Sequence, residues 1–172
     1  MGYNNYSGGN YSNRPQQPDL SEVKPAVEIK SFYKVGTEIP LEDLFDEQAQ
    51  KIAVSLVGKN KAGKDCGISP TQLRRIFDEV KRYERTLSLA DAKWEEQLPY
   101  IKMIKSKVAY SVARKSKSSG GKSTPEAPFY KNLEKFLSSG INLIKTEKDY
   151  HTFVSLFEAV YGFYYELAPK EN

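Results

Sequence analysis

Apolar residues recur at three- and four-residue steps in every patterned stretch of this chain, without the two-residue alternation of a half-buried strand. That period favours one way of burying a continuous stripe, helix against helix. Leu41, Leu44, Phe45, Ala49, Ile52, Ala53 and Leu56 mark a first helix from Pro40 to about Val57. "ISPTQLRRIF" announces a second: Ser69 caps, Pro70 occupies the first turn, and Gln72 closes a Ser-x-x-Gln capping box. Its buried stripe is Leu73, Ile76, Phe77 and Val80. A third starts near Trp94 or Leu98 and buries Ile101, Ile104, Val108 and Val112; Pro99 would kink it if it already runs from Trp94. Thr124 and Pro125 restart a fourth, with Phe129, Leu133, Phe136, Leu137, Ile141 and Ile144 inward. Thr146 caps the last, whose apolar positions are Tyr150, Phe153, Val154, Phe157, Val160, Tyr161 and Tyr164. The expectation is an all-α, compact bundle of about five helices.

Two stretches fall outside this pattern. Residues 1–37 open on Gly, Asn, Ser, Tyr, Gln and Pro and read as a flexible arm that cannot repay the entropy of folding. The helical domain is then 38–172, with "SKSSGGKSTPEAP" as an internal flexible linker at 116–128.

Several function classes are disfavoured by what the chain lacks. It has no apolar run of membrane-spanning length and no secretory h-region, and its single Cys66 suits a reducing cytoplasm. With one His and one Cys a zinc site is short of ligands, and no cofactor is expected. His151, near Glu147 and Asp149, is the sole imidazole candidate for acid–base chemistry, and such a residue early in a capped helix is more often surface or core filler. "GKNKAGKD" matches G-x-x-x-x-G-K, but Asp65 stands where a hydroxyl must hold magnesium, and Gly67 and Pro70 interrupt the helix that should follow. A Gly-rich connection is the better reading, to which Lys59, Lys61 and Lys64 add positive potential.

Charge is more informative. From Ser69 to Lys117, twelve cations face six acids, leaving +6 on that stretch and −2 on the rest of a chain whose net charge is +4. "YIKMIKSKVAYSVARKSK", Tyr100–Lys117, holds six cations and no acid. Lys107 and Arg114, seven apart, share one flank of the third helix with Met103 and Tyr110, while Lys102 and Lys105 take the opposite flank. Lys115 extends the basic run. On the second helix, Arg74 with Asp78 and Arg75 with Glu79 are i,i+4 pairs, yet Arg74, Lys81 and Arg85 share a flank. Packed side by side, the two helices would merge their cations into one groove. Such a groove, with Tyr110 as a stacking ring, suits sequence-independent binding of a single strand. A helical adaptor whose cations meet acidic proteins remains the alternative.

"ISPTQLRRIF", "IKSKVAYSVAR" and "FEAVYGFYYEL", in that order, resemble the small all-helical subunit of type III-A CRISPR effector complexes, the Csm small subunit, over about residues 40–168. Gln72 and Arg74 match the helix-two motif of that family. Lys105, Lys107, Tyr110 and Arg114 match its K/R-x-K/R-x-x-Tyr-x-x-x-Arg pattern, and Glu158 with Ala159 match its last helix. A frequent Tyr-His near the end of that helix reads Phe163-Tyr164 here. The resemblance implies a non-catalytic subunit of a cytoplasmic prokaryotic antiviral ribonucleoprotein, stacked in copies beside the backbone repeat subunits and the large subunit. It would line the target RNA paired to the guide RNA without reading sequence. The resemblance transfers no role to the N-terminal arm.

Overall fold

The structure, a computed structural model, describes residues 23–60, 63–117, 121 and 123–169. A π-helical turn, Leu44–Gln48, runs into helix α1, Ala49–Ser55. A two-stranded antiparallel hairpin follows, β1 Val57–Lys59 and β2 Asp65–Gly67, with Gly58 opposite Cys66. Four longer helices complete the chain: α2 Pro70–Leu87, α3 Trp94–Lys115, α4 Ala127–Leu143 and α5 Glu147–Leu167. The all-helical expectation therefore holds, with one small sheet added. Each strand is three residues long, too short to show an alternation in sequence. Lys61 lies outside the described residues.

Both cap positions read from sequence form, but at α2 the Gln72 side chain does not return the bond that would close its box. Ser69 accepts the Gln72 amide hydrogen at 3.3 Å, and Thr146 accepts that of Asp149 at 3.2 Å. Asp149 completes a capping box by accepting from the Thr146 amide. Helix α3 begins at Trp94, so Pro99 sits inside it and removes the amide that would have bonded the Glu95 carbonyl. Helix α4 starts at Ala127 rather than at the Thr124–Pro125 step, one residue before the expected linker ends at 128.

Helix α5 is the centre of the bundle, packed against α1, α2 and α4, while α3 lies across α2 and α4. Phe136, Phe153 and Phe157 are wholly buried and form edge and tilted ring contacts between α4 and α5. Gly140 permits this closeness, since a Cβ there would stand 2.5 Å from the Phe153 ring. Two buried phenols tie α5 to α2: Tyr150 donates to the Val80 carbonyl and Tyr164 to that of Ile68, on the approach to α2. Burial pushes the Tyr150 hydroxyl far above the usual phenol range, so it remains a donor.

One boundary needs correcting. The arm expected to run to residue 37 is docked over its last part. Ile29 and Phe32 are 3% and 2% exposed and join the main core. The Ile29 amide donates to Ser139 Oγ at 3.0 Å, and Asn132 donates to the Lys24 carbonyl at 2.9 Å. Leu41 bonds back to the Phe32 carbonyl, and Tyr33 pairs with Pro40 in an isolated bridge. Two buried side chains and these backbone partners offset an entropy cost that composition alone left uncompensated. Residues 1–22 lie outside the described part.

Candidate nucleic-acid interface

Helix periodicity splits the basic residues among four places. On α2, Gln72, Arg75, Ile76 and Glu79 share one face, and on α3 Ile104, Lys107, Val108, Ser111 and Arg114 face them. Between them lies a groove of about 200 Å³. Its floor is apolar, from Ile76, Ile104 and Val108, and its rim carries Arg75, Lys107 and Arg114. Lys107 donates to Glu79, whose Oε1 also accepts from Arg82 Nη2 at 2.8 Å. Arg75 and Arg114 have no carboxylate partner among the described residues.

Arg114 also lines a second, larger cleft of about 620 Å³. The hairpin, the start of α2, the end of α3 and the approach to α4 enclose it, and Lys64, Lys115 and Lys117 join Arg114 there. Asp65 and Glu126 are its acids, and Asp65 is already paired with Lys59 at 3.5 Å. Arg114 thus joins the two concave surfaces into one path. Tyr110 lies outside both, 68% exposed on the outer face of α3, next to Met103 at 44%.

The remaining candidates do not join this path. Lys105 donates to Asn142 Oδ1 at 2.6 Å, on the α4 side of α3. Lys102, beside it, donates to the Ile141 and Ile144 carbonyls, both at 2.6 Å, and caps the end of α4. Burial holds the Lys102 amine below the ordinary lysine range. Arg74 forms its i,i+4 pair with Asp78 at 3.5 Å. Lys81 is held between Glu84 at 2.5 Å and Glu158 of α5 at 3.7 Å, and the hydrogen bond with Glu84 raises its affinity for its proton. The expected merger of the Arg74–Lys81–Arg85 flank with α3 does not occur. Positions 74 and 81 follow 72 and 79 by two residues, so they point to the other side of the helix.

Spacing pairs Arg75 with Glu79, but Glu79 turns to Lys107 and Arg82 instead. The signal that would have found Arg75 is its place on the same face as Gln72 and Ile76. His151 touches Glu84 and Glu147, each at 3.5 Å, whereas Asp149 is engaged by the amides of Lys145 and Thr146. Among the described residues, no group of three His, Cys, Asp or Glu side chains is placed to hold a metal, and no helix is long and apolar enough to cross a membrane.

With this geometry in place, comparison with known proteins decides the family. A family model described as Csm2 Type III-A matches residues 41–168. The chain belongs to this family. It is a Csm2-type small subunit of type III-A CRISPR complexes, a structural component that associates with the other subunits. The match begins at Leu41, after the docked segment that carries Ile29 and Phe32. Nothing among curated proteins or solved structures matches the chain.

Proposed function

We propose that this subunit is non-catalytic and grips RNA by its backbone, without reading sequence, along the path from the α2–α3 groove past Arg114 to the hairpin cleft. The carrying observation is that Arg75, Lys107 and Arg114 rim an apolar floor and that Arg114 continues into a cleft with three more cations. Guanidinium and ammonium groups bind phosphate oxygens, and Arg does so in a two-pronged geometry. The Gln72 amide and Ser111 hydroxyl add neutral donors for sugar or phosphate oxygens. The apolar floor accepts a base face irrespective of its identity, and the exposed Tyr110 ring, outside both clefts, offers a further stacking surface beside the path. In the assembled cytoplasmic complex, the strand would be target RNA paired to guide RNA, with copies of this subunit stacked along it beside the backbone and large subunits.

Gel shifts with single-stranded RNAs of several sequences test the reading. Comparable affinities are expected, falling with salt at a log–log slope of about −2 for three phosphate contacts. Absence of a shift, with the protein folded, would favour the adaptor reading, in which the same cations meet acidic proteins.

A further inference from the structure

We propose that Glu79 is a built-in competitor for the RNA backbone: its carboxylate occupies Lys107 in the free protein, and an incoming phosphate displaces it. The inference rests on the RNA reading above and concerns how that site is restrained. Among the described residues lining the groove, Glu79 is the one acid. It lies on α2 but reaches across to α3, where Lys107 Nζ donates to its Oε1. The same oxygen accepts from Arg82 Nη2 at 2.8 Å, so two cations converge on one carboxylate.

Carboxylate and phosphate oxygens take the same donors by the same charge-assisted bonds. A phosphate seated between Arg75 and Arg114 therefore meets a lysine that already holds its anion. Exchange at Lys107 trades one such bond for another and yields little net gain, whereas Arg75 and Arg114 gain an anionic partner that they lack among the described residues. Glu79 thus lowers the affinity of the free subunit for a stray strand while leaving the site intact. The side chains of Glu79 and Lys107 are 27% and 43% exposed, so the bridge is open enough to be exchanged and contributes little to folding. Arg82 keeps a second partner when Glu79 leaves, the Tyr83 hydroxyl at 2.8 Å.

The test is fluorescence anisotropy of a labelled single-stranded RNA against the wild type, Glu79→Gln, Lys107→Ala and the double variant, with melting curves beside them. Glu79→Gln should bind about two- to fivefold tighter, the range an exposed pair can withhold. That gain should vanish on the Lys107→Ala background. Glu96→Gln, which removes an equal charge from a pair with Lys93 at 3.3 Å outside the groove, should bind as the wild type does. Should Glu79→Gln fold poorly, Glu79→Asp keeps the charge but shortens the reach, and intermediate affinity is expected. Unchanged affinity for both Glu79 variants overturns the proposal, as does a gain that survives Lys107→Ala or is matched by Glu96→Gln. A wild type that binds normally beside inert Glu79 variants removes only this role. A wild type that binds no RNA removes the RNA reading, and the competitor with it.

Discussion

Helix α2 carries cations on both flanks, and the two flanks end in opposite electrostatic states. On the side toward α5, Lys81 meets Glu84 and Glu158, and His151 stands between Glu84 and Glu147. On the side toward α3, Arg75 and Arg114 find no carboxylate among the described residues, and Glu79 alone answers Lys107. The difference comes from the neighbour. Helix α5 supplies acids at Glu147 and Glu158, whereas α3 has none after Glu96. A basic helix becomes an anion-binding face only where the helix beside it withholds the counter-charge. On the proposed reading the α5 side is a structural seam and the α3 side the binding one, and substitutions should separate them.

The largest effect belongs to the seam. Phe77 stacks on Tyr161 at 5.1 Å and meets the Phe157 ring edge-on at 5.3 Å. Phe77→Ala should cost about 3 kcal/mol in chemical denaturation. RNA affinity should hold wherever the variant is still folded; a loss there would mean that the two sides are not separable. Next comes the start of α5. Burial opposes ionisation of Asp149, but hydrogen bonds from the Lys145 and Thr146 amides win and hold its carboxyl below the usual range. Its stabilising contribution is therefore present above the ordinary carboxylate value of about 3.9 and is lost as pH falls through the lower folded-state value. Asp149→Ala should cost about 1 kcal/mol at neutral pH and should flatten the acid side of the stability profile. Smallest is Glu158→Gln, which weakens one exposed ion pair on Lys81 at 3.7 Å and should shift stability by under about 0.5 kcal/mol.

The seam was more legible in the sequence than the binding side. Helix starts at Ser69 and Thr146 follow from side chains that bond their own backbone, a local cause that sequence displays directly. The apolar stripes of α4 and α5 could be read because burial imposes the helical period. Ile29 and Phe32 could not, because two apolar residues in an aperiodic stretch carry no pattern and their partners are distant, Ser139 and Phe153 among them. The hairpin was hidden by the brevity of its strands. At the candidate site, Lys107, Arg114, Lys115 and Gln72 lie on the path, while Lys81, Lys105 and Arg74 lie elsewhere. Spacing fixes which residues share a flank, but not which flank meets which neighbour. Arg75 and Lys81 part company because one faces α3 and the other Glu158 of α5, a tertiary placement that spacing does not encode.

The most direct test compares those two flanks in one experiment, the salt dependence of single-stranded RNA binding. Lys107→Gln with Arg114→Gln should flatten the log–log slope by about 1.4, two contacts' worth, and weaken binding to different sequences alike. Lys81→Gln removes a similar cation from the same pair of helices and should leave the slope at its wild-type value. Both proteins should melt near the parent, since exposed and partly exposed ion pairs contribute little to folding. Equal flattening by both would show a diffuse basic surface with no groove, and an unchanged slope in the double variant would show that the α3 face is not where RNA is held.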